Sequence, residues 1–408
     1  MLRAARCLTV LVYLYSLLLG VVAFTYDVDT GYVCKKTTLT IYCLFINLLT
    51  LAGVVAFARN MEIKIQKSGQ PDLHYKLLVT MTIIRITGVL MVLAVNWLLR
   101  NDFVNNLNLL REFRERYLRT TRNHEKHLDF FNQQIVLKFL IGGLSETVMF
   151  FGTMQIMHQI FEVNNPVILT ILGLMSTVLN LMSSHYFFIA LNVQILFRIM
   201  IDELKGLLRT MEELFRRHYR NDIGQGLFSI LCCQLSDDLD NLARNHSELQ
   251  LLGDKINRMF YIQGCCVFLV LYLNNICIFY IAYMLAQHVE LGPHFNQTVL
   301  YVLPLAVLLY YADSFMLIYL ILRYFDTITK PSELLKDCQA WLPILDKRLE
   351  ESVQLFSIKM AAFPISRQML HLFDVTRPMV FATITSTLTN AIVLMQYDYK
   401  YSKIKIKN

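Results

Sequence analysis

Four ionisable residues stand inside stretches that are otherwise apolar: Arg85, Glu146, His185 and Asp313. Such a group is costly to hold in lipid unless it is paired, hydrogen-bonded or turned toward water. Two roles therefore fit them. They fix helix packing through a pair or a hydrogen bond, or they form the polar wall of a ligand pocket shared by the middle helices. Asn274, Tyr280 and Tyr310 are further candidates for that pocket, within a set that also holds Asn275, Tyr272, Phe279 and Tyr311. Tyr and Phe are equally ordinary packing residues in a membrane.

A second chemical pattern lies near the C-terminus, in Phe381-Ala-Thr-Ile-Thr-Ser-Thr-Leu-Thr-Asn-Ala-Ile-Val-Leu-Met-Gln-Tyr397. Thr385, Thr389, Ile392 and Gln396 recur at helical spacing and share one face, with Asn390, Val393 and Tyr397 on the adjacent stripe. Hydroxyl and amide groups interrupted by apolar constrictions suit a pore wall, which must hydrate an ion and also be able to dewet. Ser and Thr bonded back to their own helix, aiding its packing, are the other reading.

Enzyme chemistry finds no support. His124-Glu125-Lys126-His127 places its histidines three apart, not in the H-E-x-x-H frame of a metalloprotease. There is no P-loop, nucleophile elbow or nucleotide fingerprint. Nine cysteines include the vicinal pairs Cys232-Cys233 and Cys265-Cys266, with no spacing that suits zinc. No metal and no cofactor is expected.

The elements that carry these residues are membrane helices. The chain is 55% hydrophobic and 17% charged, against about 25% charged in soluble domains. A spanning helix needs roughly 20 apolar residues, and eight stretches approach or meet this: Cys7–Tyr26, Thr37–Ala58, Leu77–Leu99, Phe139–Phe161, Val163–Phe197, Met259–Val289, Leu291–Leu322 and Pro378–Tyr397. None alternates as a barrel strand does. The expected fold is all-α and polytopic.

Charge sets the topology. The joins near Glu162 and Glu290 lack Lys and Arg, whereas 100–126, 198–258 and 323–367 are long and basic. The positive-inside rule puts these three loops in the cytoplasm. The net charge of +7 is read as this topology signal and not as affinity for nucleic acid. The last segment then exits to the outside, against the pull of Lys400, Lys403, Lys405 and Lys407. With Arg3 and Arg6 at its start, the first segment keeps the N-terminus inside and re-enters or lies along the membrane, leaving seven spans. In the second loop Leu235, Leu239, Leu242, His246, Leu249, Gly253, Ile256 and Phe260 form a heptad-like seam. That predicts a cytoplasmic helix running on into the span after Met259.

The run Thr389-Asn390-Ala-Ile-Val-Leu-Met-Gln396-Tyr397 resembles the C-terminal signature of insect gustatory receptors: T-Y, five hydrophobics, Q-F. Thr389 and Gln396 match, Asn390 stands for the signature Tyr, and Tyr397 for Phe. Arg348–Gln354, Leu372–Thr376 and Gln396-Tyr-Asp398 are also similar to this family. The resemblance implies a ligand-gated, non-selective cation channel that detects small-molecule tastants, bitter or aversive ones more than sugars. It implies four subunits, identical or mixed with other gustatory receptors, in the plasma membrane of gustatory neurons, around one pore. Thr385, Thr389, Ile392 and Gln396 then line that pore, and Val393 and Tyr397 sit at its gate.

The implied organisation is an N-terminal segment with the re-entrant helix (1–36), four spans with the pocket region (37–197) and a cytoplasmic helical extension (198–258). The fifth and sixth spans (259–322), cytoplasmic anchor helices (323–375), the pore helix (376–397) and an extracellular tail (398–408) follow. A G-protein-coupled receptor is the alternative, but D-R-Y and N-P-x-x-Y are missing and Asn165-Pro166 stands in the wrong place. A non-conducting co-receptor subunit is the other.

Overall fold

The computed structural model describes residues 3–27, 30–67, 73–121, 124–159, 163–286, 297–338, 346–362, 368–369, 373–374 and 376–407. The joins at Glu162 and Glu290, and Leu372 and Val375 of the resemblance, lie outside these residues. Eleven helices account for nearly all of the described chain. They are α1 (Arg3–Leu18), α2 (Thr37–Lys67), α3 (Leu73–Leu98), α4 (Arg100–Thr120), α5 (Glu125–Gln159) and α6 (Pro166–Tyr219), then α7 (Gln225–Met259), α8 (Tyr261–Ala286), α9 (Gln297–Cys338), α10 (Lys347–Ala362) and α11 (Arg377–Lys407). Two small antiparallel pairs complete it: β1 (Thr25–Tyr26) with β2 (Val33–Cys34), and β3 (Gln368–Met369) with β4 (Phe373–Asp374).

Among the described residues seven helices are long and apolar enough to cross a membrane: α2, α3, α5, α6, α8, α9 and α11. The protein is an all-α polytopic membrane protein. α1 is the eighth apolar stretch and is shorter. Its 16 residues reach about 24 Å at 1.5 Å per residue, less than the ~30 Å hydrocarbon core. It stops where Gly20 takes a positive φ of 65°, a conformation that costs glycine nothing. A Cβ there would also stand 3.0 Å from Ile46 Cγ2. The chain turns back into the β1–β2 hairpin, and α1 docks on the bundle. Tyr15 shares a 2.6 Å hydrogen bond with Thr177, and Ser16 a 2.8 Å bond with His185, both on α6.

The hub is α6, whose apolar window is 67% buried against 11% for α11. Asn165 caps it, accepting from the Val167 and Ile168 backbone N–H groups, and Pro166 follows where its missing N–H costs nothing. Its 54 residues extend about 80 Å, far more than a span. Expected spans and loops are thus redrawn. The stretch expected to end at Phe197 continues as helix to Tyr219, and the one expected to end at Leu322 continues to Cys338. The basic loops 100–126, 198–258 and 323–367 are largely helical, as α4, the end of α6 with α7, and the end of α9 with α10. Hydropathy marks only where lipid is. A helix that leaves the bilayer loses its apolar circumference but keeps one apolar stripe.

That stripe closes the second layer. All eight seam residues of the expected heptad are buried, from Leu235 to Phe260. α7 ends at Met259 and α8 starts at Tyr261, so the expected run into the span is interrupted at Phe260 alone. α7 packs on α6, α4 and α10. Polar ties join the helices: Ser236 to Ser352 at 2.7 Å, Arg348 to Asp237 at 2.5 Å and Arg116 to Glu248 at 2.5 Å. The Tyr117 hydroxyl donates to Glu203 at 2.5 Å. Burial and that carboxylate push its pKa up.

Candidate functional site

Four of the pocket candidates come together. Arg85 on α3, Asn274 on α8, and Tyr310 and Asp313 on α9 line one crevice, with Asn180, Ser183 and Leu179 of α6 as its floor. They stand on three different spans, so only a helix bundle could bring them together. The crevice is narrow, with a volume of about 20 Å³. That holds a water molecule and no tastant-sized ligand.

Its strongest interaction involves a residue that sequence reading missed. Lys138 on α5, 1% exposed, reaches Asp313, 7% exposed, with Nζ 2.5 Å from Oδ1. The Phe187 ring lies 5.4 Å from the same ammonium. Gly142, one turn along α5, makes the approach possible: a Cβ there would sit 3.3 Å from Asp313 Oδ1. Hydropathy puts the edge of this apolar stretch at Phe139, the first residue after the charge, and so leaves Lys138 outside it. The helix starts at Glu125, which puts the lysine well inside it. Lys138, Gly142 and Glu146 repeat every four residues, so Glu146 shares that face of α5. It lies within electrostatic reach of both Asp313 and Lys138.

The remaining candidates lie elsewhere. His185 is bonded to Ser16 of α1 and lines a separate crevice, formed by Gly20–Phe24 with Asn96, Arg100 and Gln263. Tyr280 is fully buried on α8 and lines neither crevice. Asn274 and Tyr310 share the crevice's neutral polarity with Asn180, Ser183 and Ser314, and His185 belongs with the N-terminal helix.

The C-terminal candidates occupy a contrasting setting. α11 packs against α8 through Thr387, 2% exposed, and Ala391, 1% exposed. Tyr272 of α8 secures the contact, sharing a 2.8 Å bond with Ser386 and accepting a 2.6 Å bond from Asn390. Thr385, Thr389, Ile392, Val393, Gln396 and Tyr397 are all exposed. Thr385, Thr389, Ile392 and Gln396 lie on the side away from Thr387 and Ala391, whereas Val393 and Tyr397 share the stripe of Asn390, beside the contact. Thr389 also donates back to the Thr385 carbonyl at 2.9 Å, so its hydroxyl is satisfied within the helix while the face stays open.

A family model described as 7tm Chemosensory receptor matches residues 10–401. The chain belongs to the 7tm chemosensory receptor family. Over 391 residues it is 23% identical to "Putative gustatory receptor 36a" of Drosophila melanogaster, covering 95% of this chain and 97% of that one. It is 24% identical to "Putative gustatory receptor 36b" of the same species over 401 residues, 96% and 97% of the two chains. Among solved structures it is similar to the insect olfactory receptor OR5 from Machilis hrabei, with a TM-score of 0.64 and 11% identity. That match covers 95% of this chain and 97% of that chain, and at this identity it speaks for the fold alone. Within the chemosensory receptor fold, α11 is the seventh span and the crevice lies among the second, fourth, fifth and sixth.

Among the described residues no cluster of His, Cys, Asp and Glu forms a metal site. What the arrangement offers is two polar regions of different kinds: an enclosed charged crevice and an exposed polar helix face.

Proposed function

We propose that this chemosensory receptor is a gustatory receptor subunit, a ligand-gated non-selective cation channel opened by small-molecule tastants, with bitter or aversive compounds as its class. One observation carries the reading: the last span buries only a thin stripe against α8 and leaves its Thr, Ile, Gln and Tyr faces exposed. A lone polar face in lipid is unfavourable. A ring of four copies, or of this chain with other gustatory subunits, places those faces around a shared axis where water meets them. Thr385, Thr389, Ile392 and Gln396 then line the pore, and Val393 and Tyr397 close it. The uncharged wall passes cations without strong selection.

The tastant enters among α3, α6, α8 and α9. Since the crevice now holds about a water molecule, a ligand must bind a wider arrangement more tightly than this one, and that difference is what gates. The basic extensions of α4, α6, α7 and α9 face the cytoplasm with the N-terminus, and α11 delivers the C-terminus outside. The plasma membrane of sensory dendrites is the corresponding location.

Currents in cells expressing the chain, alone and with partner receptors, under a panel of bitter compounds test this. The expected result is a compound-evoked cation current whose selectivity or block changes in Gln396→Ala. A surface-expressed receptor that gives no current with any partner, and signals instead through a G protein, contradicts it.

A further inference from the structure

The crevice among α3, α6, α8 and α9 contains two charged side chains, Arg85 and Asp313, and among the described residues only Asp313 has an ion-pair partner. Asp313 is held by Lys138 at 2.5 Å. Among the described residues no carboxylate lies within ion-pairing distance of Arg85, and its buried Nε has no hydrogen-bond partner. Glu146, the other carboxyl group nearby, is outside the crevice lining and forms no ion pair with Arg85. The rest of the polar lining is neutral: Asn180, Ser183, Asn274, Tyr310 and Ser314.

A guanidinium in the middle of a span, facing a crevice and lacking an anion, has an unmet demand for one. Its planar fork of donors matches a carboxylate in two parallel bonds. A protonated amine in the same place meets like charge and finds its natural partner, Asp313, already engaged by Lys138.

Resting on the tastant-receptor reading above, we propose that this crevice selects ligands bearing a carboxylate or comparable anionic group, bound through Arg85, and disfavours protonated amines such as alkaloids. Asn274 and Tyr310 orient the remainder of the ligand through neutral hydrogen bonds. Arg85 is then the residue that decides ligand charge.

The test uses the full-length receptor in nanodiscs of phosphatidylcholine, whose zero net charge removes anionic lipid headgroups as competitors. Benzoate and cinnamate are compared with benzylamine and methyl benzoate, by thermal shift and by equilibrium binding. The two carboxylates should bind and raise the melting temperature, and benzylamine should not. Arg85→Gln should weaken benzoate roughly tenfold or more and leave methyl benzoate unchanged, while Arg85→Lys, which keeps the charge but loses the planar fork, should give an affinity between those of the parent and Arg85→Gln. If Arg85→Gln does not fold, Asn274→Ala and Tyr310→Phe interrogate the same crevice and should each weaken benzoate several-fold.

Benzylamine binding as well as benzoate, benzoate affinity indifferent to these substitutions, or no carboxylate binding up to millimolar concentration overturns the proposal. Binding is measured without current. Carboxylates that bind a receptor that conducts nothing therefore uphold the ligand class while the channel reading fails. Currents evoked only by amines or neutral compounds do the reverse.

Discussion

At the scale of single residues, the Lys138–Asp313 pair is the clearest consequence of putting charge inside a bundle. Both partners are almost fully enclosed. Taking two ions out of water costs about what their attraction returns, but removing one partner leaves the other unpaired, at about 3–5 kcal/mol. Asp313→Leu or Lys138→Met alone should therefore lower the melting temperature of the purified receptor sharply. The double substitution should recover most of the loss, so that the two effects are far from additive. Additive losses would mean that the pair is not coupled as its 2.5 Å separation implies. The sequence exposed half of this site. Asp313 was visible because it interrupts an apolar run, whereas Lys138 sits at a hydropathy edge, where a lysine reads as the end of a span. The grouping of Arg85 with Asn274, Tyr310 and Asp313 was legible as polarity in lipid, but the separate place of His185 was not, because helix spacing does not say which neighbour a face meets.

At the scale of elements, the heptad-like seam of α7 was legible to the residue, and the structure gives it neighbours. His246 occupies a seam position, 2% exposed, with ring centroids 5.3 Å from Phe197 of α6 and 5.6 Å from Phe356 of α10. Neither ring nitrogen has a hydrogen-bond partner among the described residues. Burial lowers its pKa to about 4, whereas an unfolded imidazole takes its proton near 6.5. Between those values the unfolded state binds more protons, so the stability this layer has at neutral pH is lost as pH falls from about 6.5 to about 4. The loss is at most about 1.4 kcal/mol per pH unit. His246→Leu should flatten that dependence and raise the melting temperature at neutral pH, since it removes two unsatisfied polar atoms. A mutant with the slope of the parent would show that other groups carry the acid sensitivity. The ends of α5, α6 and α9 were not legible. Outside the bilayer a helix is marked by one apolar stripe and not by a wholly apolar circumference.

At the scale of the whole molecule, the seven spans were readable because lipid accepts backbone only as helices of a minimum length or as closed barrels, and no stretch alternates as a barrel strand does. α1 was readable as exceptional from Arg3 and Arg6 at its start, and its 16 residues are fewer than a span needs. Less readable was the unequal burial of the spans: α6 as an enclosed hub and α11 at the margin. Composition alone does not separate a helix wrapped by its own chain from one that leaves most of its circumference exposed. The polar stripe of α11 had two readings, self-bonded threonines or a pore wall, and its setting accommodates both, with Thr389 bonded to Thr385 and the stripe still exposed.

The central claim, that α11 lines a shared aqueous pore, is tested most directly by single cysteines along it in a conducting receptor, challenged with a charged thiol reagent during ligand-evoked current. Cysteines at Thr385, Thr389, Ile392 and Gln396 should be modified, and the current should fall. Cysteines at Thr387 and Ala391, which face α8, should stay unmodified and leave the current intact. Reaction confined to positions 387 and 391, or no change in current at any position on the exposed face, would contradict the account.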